Sequence, residues 1–366
     1  MKFAFVVTNL RGGGAEKALV RLAGALADAG HAAHLVLLEH LVEHEVPAGL
    51  PLHALTAPGQ AASKGLFGKR LAAVRLRRLL RRLEQGGPFD AVVSTLPHAD
   101  EVVALARLPR VWFRIANTLS AEVAALGRVD PARAARRLAR YRRRYGGANL
   151  IAVSQGVADD LSGGLGLADA NIEVVRNVFD PAAIRRLADA GDADLPDEPY
   201  LLHVGRFAPQ KRHDLLFEAY RQAALPHRLV LLAPPSEALD ALLRHHGVRD
   251  RVLVAGFRRN PYPWIRRAEL LVLCSDREGM PNVLVEALIC GTRVASTDCP
   301  SGPRELLDGE LARFLAPCGD AAALAQAMRA ALAAPPPAAT TQVAPFLAAT
   351  VVARCEQLPR LWRAPA

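Results

Sequence analysis

Aromatic side chains make up only 5% of this 366-residue chain, and lysine is scarcer still. The five cysteines, Cys274, Cys290, Cys299, Cys318 and Cys355, form no CxxC pair and no zinc-type spacing, which excludes a cysteine-built metal site. Cys274 and Cys290 lie in apolar runs, where a buried reduced thiol is expected, and an odd, unpatterned set suits a reducing cytoplasm. No apolar run approaches the ~20 residues of a spanning helix. The run after Met1 is too short for a secretory signal peptide. The expectation is a cytoplasmic chain that does not cross a membrane and is not exported by that route. A GxGxxG dinucleotide fingerprint is missing after the first strand, as is an Asp-x-Asp cluster in a suitable loop.

What is present is arginine. The formal net charge is +10 and the pI is near 9.9, a balance that points to nucleic acid, an anionic membrane surface or phosphorylated substrates. Half of the residues are hydrophobic (51%), enough for two cores.

Apolar runs alternate with helical patterns along the chain. Strands are expected at 3–8, 33–38, 52–55, 91–94, 111–115, 150–154 and 173–175, with helices at 17–30, 69–83, 133–145 and from about Val157. His98 falls in a loop. Residues 187–199, rich in Ala, Asp, Gly and Pro, read as a linker. The alternation then restarts. Strands are expected at 200–205, 229–232, 252–254, 270–273 and 293–295, with helices at 212–223, 237–246, 263–267, 283–289 and 321–333. A last helix is expected at 346–363. Repeated βα units make parallel sheets covered on both faces. The fold class is therefore α/β, with two doubly wound Rossmann-like domains: residues 1–180 plus a returning C-terminal helix at about 345–366, and residues 181–344. Ligands of such sheets sit at the carboxyl ends of the strands, which here implies a cleft between the two sheets.

The stretch Arg277-Glu278-Gly279-Met280-Pro281-Asn282-Val283-Leu284-Val285-Glu286 carries the most chemistry. It follows a buried-strand pattern and runs into an apolar helix ended by Gly291. The free N–H groups near Asn282, Val283 and Leu284 favour a phosphate. Glu278 stands in the loop, and Glu286 about one turn into the helix, so that both carboxylates reach one ligand. Upstream, Gly205-Arg206 and Lys211 follow another strand. Arg11-Gly12-Gly13-Gly14-Ala15-Glu16 follows the first strand, either as a tight βα turn or as a place where backbone approaches a substrate.

These motifs resemble, in order and over nearly the whole chain, the retaining family-four glycosyltransferases of the GT-B fold. The run Thr297-Asp298-Cys299-Pro300-Ser301-Gly302-Pro303-Arg304-Glu305 resembles the branch that builds bacterial lipopolysaccharide, polysaccharide and lipid-linked glycans. The resemblance implies a UDP-sugar donor as substrate, with no metal and no other cofactor. It assigns Arg206 and Lys211 to the donor diphosphate, where cations stabilise the charge of a departing phosphate. It places Glu278 by the donor sugar and Glu286 on the ribose hydroxyls, with Gly279, Met280, Asn282, Val283 and Leu284 around them. Glu278, Arg206 and Lys211 are thus the catalytic group. Gly13 and Gly14 bring the backbone of the first domain to the phosphates or acceptor. His98, Arg114 and Asn117 are candidates for an acceptor-side residue.

Two helices are dense in arginine, residues 69–83 and 133–145. They read either as solvated faces or as contacts with an anionic bilayer, which suits a glycolipid acceptor and a peripheral place on the inner face of the cytoplasmic membrane. A sugar-nucleotide epimerase is the alternative enzyme. A basic nucleic-acid-binding protein is the alternative of another class, weakened by the absence of an aromatic stacking platform.

Overall fold

The structure is a computed structural model that describes residues 1–11, 13–61, 65–338 and 340–364. Its contacts divide the chain into two compact units, Met1–Phe179 with Ala348–Ala366, and Asp180–Leu347.

In the first unit, apolar runs too short for helices become strands buried on both faces. The order is β1 (Lys2–Val7), α1 (Gly14–Asp28), β2 (Ala32–Leu37), β3 (Leu52–Ala54), α2 (Leu66–Leu83), β4 (Ala91–Thr95), α3 (Pro97–Ala106), β5 (Val111–Ile115), α4 (Leu119–Gly127), α5 (Pro131–Tyr145), β6 (Asn149–Ala152), α6 (Gln155–Asp159) and β7 (Asn171–Val174). The seven strands pair in the order β3-β2-β1-β4-β5-β6-β7, and every pair is parallel. Chain order reverses between β1 and β4, so the loops after β1, β4 and β5 share one end of the sheet. Ser154 caps α6, its Oγ accepting from the Val157 amide at 3.2 Å, as its place before an apolar helical stretch predicts.

The second unit comprises α7 (Pro181–Asp189), β8 (Tyr200–Val204), α8 (His213–Ala223), β9 (Arg228–Leu232), α9 (Glu237–His245), β10 (Val252–Val254), α10 (Tyr262–Arg267), β11 (Leu270–Leu273), α11 (Asn282–Cys290), β12 (Arg293–Thr297), α12 (Pro303–Leu306), β13 (Leu315–Ala316), α13 (Ala321–Ala333) and α14 (Thr340–Val343). Its parallel sheet runs β10-β9-β8-β11-β12-β13, with its reversal between β8 and β11. The chain then returns to the first unit as α15 (Ala348–Cys355) and α16 (Leu358–Leu361). Val351, Val352, Cys355 and Leu358 pack there in one core with Phe3, Phe5 and Trp112.

Four expectations need correction. The linker is shorter than 187–199, because Asp180 caps α7, accepting from the Ala183 amide at 3.0 Å, with Pro181 in the first turn. His98 is not in a loop but in the first turn of α3. The helix expected at 346–363 is two pieces, since Pro359 lacks the N–H a continuous helix needs. Cys274 is buried but Cys290 is only half-buried; all five cysteines are free.

Buried ionisable groups give the units opposite responses to acid. Asp100 is 1% exposed, holding Ser94 Oγ at 2.6 Å and Tyr145 Oη at 2.8 Å. Burial outweighs both hydrogen bonds and raises its pKa to about 7. A carboxyl raised in the fold stabilises it below the unfolded value, and that stabilisation is lost as pH climbs through the folded value. In the second unit burial depresses His203 to about 3 and His213 to about 4. Their contribution is complete above 6.5 and is lost as pH falls through about 4 for His213 and about 3 for His203. Asp100→Asn is therefore expected to gain in thermal midpoint relative to the unmutated chain as pH goes from about 5 to about 8. A constant difference across that range would contradict the assignment.

Candidate functional site

The reversal between β8 and β11 sets the loops after these two strands side by side. After β8 the chain passes Gly205 and the exposed Arg206 into a 3-10 turn, Pro209–Lys211. After β11 it passes Ser275, Asp276, Arg277 and Glu278 into α11. Backbone and side chain stitch the loops together: the Asp276 amide donates to the Gln210 carbonyl at 2.9 Å, and Gln210 Nε2 donates to the Arg277 carbonyl at 3.3 Å.

This fixes the central contact. Lys211 Nζ lies 2.6 Å from Glu278 Oε1, and Ser275 Oγ donates to the same oxygen at 2.6 Å. Glu278 is only 9% exposed, and a carboxylate so enclosed requires such partners. Its backbone is clamped from the other side. The Glu278 amide donates to the Pro300 carbonyl at 2.7 Å, and the Ser301 amide donates to the Glu278 carbonyl at 3.3 Å. The buried Cys274 thiol meets the Lys211 carbonyl at 3.0 Å and so holds the 3-10 turn from beneath.

The bend into α11 rests on Gly302. Its φ is +100°, and a Cβ there would lie 2.6 Å from Pro281 Cδ, 3.1 Å from Met280 Cα and 3.2 Å from the Gly279 carbonyl oxygen. Only a residue without a side chain fits. Pro281 stands at the N-cap of α11 and offers no side-chain acceptor to the first N–H groups. Met280 and Leu284 are buried in the fold, and Asn282 and Val283 are half-buried at the helix start. Gly291 closes the helix at φ +77°, as its position predicts. Glu286 is 6% exposed and accepts from Tyr262 Oη of α10 at 3.2 Å.

In the first unit, the candidates follow neighbouring strands. Gly13 caps α1, and Gly14 is the first helical residue; Gly12 lies outside the described residues. A Cβ on Gly13 would meet Glu16 Oε2 at 1.9 Å, so the carboxylate of Glu16 folds back over this helix start. His98 follows β4, after Leu96, whose φ of +77° is strained for a branched residue. Asn117 follows β5, and its side-chain oxygen accepts from the Thr118 amide at 3.0 Å. Arg114 is corrected as an acceptor-facing residue: it is 1% exposed within β5 and donates to the side-chain oxygen of Asn177, because its place in the strand turns it into the core. Burial lowers its pKa to about 10.

Ser275, Tyr262 and Gly302 are the site residues that sequence reasoning missed as individuals. Ser275 at the end of an apolar run and Gly302 before Pro303 carried a faint signal. Tyr262 carried none, because its partner is far along the chain.

Two Rossmann-like units of these topologies define the GT-B class. Sucrose-phosphate synthase of Thermosynechococcus elongatus superposes with a TM-score of 0.75 at 19% identity, covering 98% of each chain. The Anabaena protein HepE, crystallised in complex with UDP-glucose, superposes with a TM-score of 0.72 at 20% identity, covering 98% of this chain and 100% of that one. At such identities the likeness establishes the fold. The sequence model described as Glycosyltransferase Family 4 matches residues 12–183, and that described as Glycosyl transferases group 1 matches residues 198–334. The chain belongs to the family-four glycosyltransferases.

Among curated relatives, the Campylobacter jejuni N-acetylgalactosamine-N,N'-diacetylbacillosaminyl-diphospho-undecaprenol 4-alpha-N-acetylgalactosaminyltransferase is 34% identical over 155 residues, 42% of each chain. The lipopolysaccharide 1,6-galactosyltransferase of Salmonella typhimurium is 31% identical over 174 residues, 44% of this chain and 47% of that protein. The chain spans less than half the length of these relatives.

Proposed function

We propose that the protein moves a hexose or N-acetylhexosamine from a UDP-sugar, with retention, to a growing lipid-linked glycan of the bacterial surface, such as lipopolysaccharide or a polysaccharide repeat unit. The observation that carries this reading is the Lys211–Glu278 contact at the β8/β11 reversal, beside the start of α11. Relatives named for lipopolysaccharide and undecaprenol-linked glycans support the acceptor class. The solved structures holding UDP or UDP-glucose support the donor.

The donor diphosphate lies against Arg206, Lys211 and the first N–H groups of α11. Charge grows on the phosphate as the anomeric bond breaks, so cations fixed there favour the transition state over the ground state. Glu286, oriented by Tyr262, accepts from the ribose hydroxyls. Glu278 faces the sugar and stabilises positive charge near its anomeric carbon. The acceptor attacks from the face the phosphate leaves, and a leaving phosphate oxygen takes its proton. With charge handled by side chains and a helix start, turnover is expected to persist in excess chelator.

UDP release from a panel of UDP-sugars in the presence of bacterial membrane extract tests the reading. Arg206→Ala and Glu286→Ala are each expected to weaken donor binding by about tenfold to a hundredfold, the worth of a hydrogen bond to a charged group. Donor binding unchanged in both variants, with no donor consumed, would sink the proposal.

A further inference from the structure

Three buried hydrogen-bond donors on one face of β5 have no acceptor. Arg114 is 1% exposed, and of its nitrogens only Nη2 has a partner, the side-chain oxygen of Asn177. Its Nε and Nη1 are buried and unpartnered. Trp112 precedes it by two residues, so both side chains leave the same face of the strand. Trp112 is fully buried, and its Nε1 is also unpartnered. Every buried side-chain polar atom without a partner among the described residues is a nitrogen, so no unpaired side-chain oxygen in the core answers these donors.

Arg114 also lacks a counter-charge. Among the described residues, the one titratable side chain that acts on its guanidinium is Cys355 of α15. Burial raises that thiol to about 12, so it is neutral at pH 7. Burial lowers Arg114 itself only to about 10, so the guanidinium keeps its charge. A buried charge with neither a counter-ion nor a full set of hydrogen bonds is among the most costly arrangements a core can hold. An ordered water could accept from these donors, but it would bring hydrogens of its own to satisfy and no charge. A halide accepts from several donors and carries the charge that is missing.

We propose that the first unit holds a buried chloride ion against the Arg114 guanidinium, on the donor-rich face of β5. Its place gives the ion a task. Asn177 lies two residues before Phe179, where the chain leaves the first unit, and Cys355 lies on the segment that re-enters it at Ala348. Arg114 therefore stands where β5, the outgoing chain and the returning α15 meet in one core. Neutralising it fastens both chain ends to the sheet. Such an ion belongs to the first unit alone and is independent of sugar transfer.

Thermal unfolding of the full chain, with chloride titrated against gluconate at one ionic strength, tests this. A tenfold excess of chloride over its dissociation constant is expected to raise the midpoint by about 3–6 °C. Hydrogen exchange of the α15 amides should slow about tenfold over the same titration. Arg114→Met places an apolar side chain of similar length in the core, a kind of change that is often tolerated. It should make midpoint and exchange equal in the two salts. Arg114→Lys keeps the charge and should keep part of the shift. A cooperative melt reports that each variant is folded. Crystals grown in bromide should show its anomalous signal against Arg114. A midpoint equal in chloride and gluconate overturns the proposal. So does a chloride shift of the same size in Arg114→Met, which would put the ion elsewhere. Water without bromide at Arg114 overturns it as well, and keeps the test decisive if Arg114→Met does not fold.

Discussion

Glu278→Gln is expected to bind UDP at least as tightly as the unmutated chain while transferring sugar about a hundredfold more slowly. The two halves of this result have different causes. With no donor present, Lys211 is held by Glu278 at 2.6 Å, so an incoming diphosphate competes with the carboxylate for the ammonium group. Glutamine keeps the shape and still accepts from Ser275, but it gives up the charge. Lys211 is then freer for phosphate, and the repulsion between carboxylate and diphosphate disappears. Transfer suffers because the developing positive charge at the anomeric carbon loses its anionic neighbour. Calorimetry of UDP binding alongside turnover separates the two. A variant that loses UDP affinity and turnover in equal measure would show that Glu278 grips the nucleotide, and the division of roles proposed above would fail. Lys211→Ala is the informative companion. It removes the ammonium partner of a nearly buried carboxylate, so it should lower stability as well as donor affinity.

The second large effect is expected at a residue with no functional group. Gly302→Ala should abolish measurable transfer and destabilise the second unit by about 1–3 kcal/mol, the usual cost of a strained backbone position, with the clash in addition. At φ +100° a Cβ is strained whatever the space around it. Here it also points at Pro281, Met280 and Gly279, two of the three contacts being to main chain. Backbone cannot swing aside as a side-chain tip does. The only relief is to shift the bend that sets Glu278 and the start of α11, so stability and activity should fall together. Thermal melting and the donor assay measure both. An alanine variant with a normal midpoint and normal turnover would show the bend to be soft and Gly302 incidental.

How far the sequence reached can be judged residue by residue. Strand runs such as Leu270–Leu273 were legible because a parallel strand buried on both faces is continuously apolar. Helix ends were legible where a local device marks them, as at Ser154 or Gly291. Helices α3 and α4 were not. Proline and histidine in the first turn of α3 look like a loop, and the apolar content of α4 has no clear period. Arginine spacing sets the start of α2 one turn late, because Leu66 and Phe67 of its first turn are exposed and add nothing to the buried stripe.

By itself the sequence determined the repeated βα plan, the Glu278 to Glu286 motif after its strand, the upstream Arg206 and Lys211, and the excess of arginine. These are local or compositional, and periodicity and spacing record them directly. Which strand lies beside which was decided only in three dimensions. The reversal between β8 and β11 brings Lys211 and Glu278, 67 residues apart, into one ion pair, gives Glu286 its hydroxyl from Tyr262, and leaves Gly302 no room for a side chain. In the other unit, Glu101 of α3 pairs with Lys69 of α2 and with Arg140 of α5, while burial removes Arg114 from the surface it was expected to serve. Long-range contacts of this kind leave no periodic trace in the chain, because they depend on the order in which the sheet closes and not on the neighbours of any one residue.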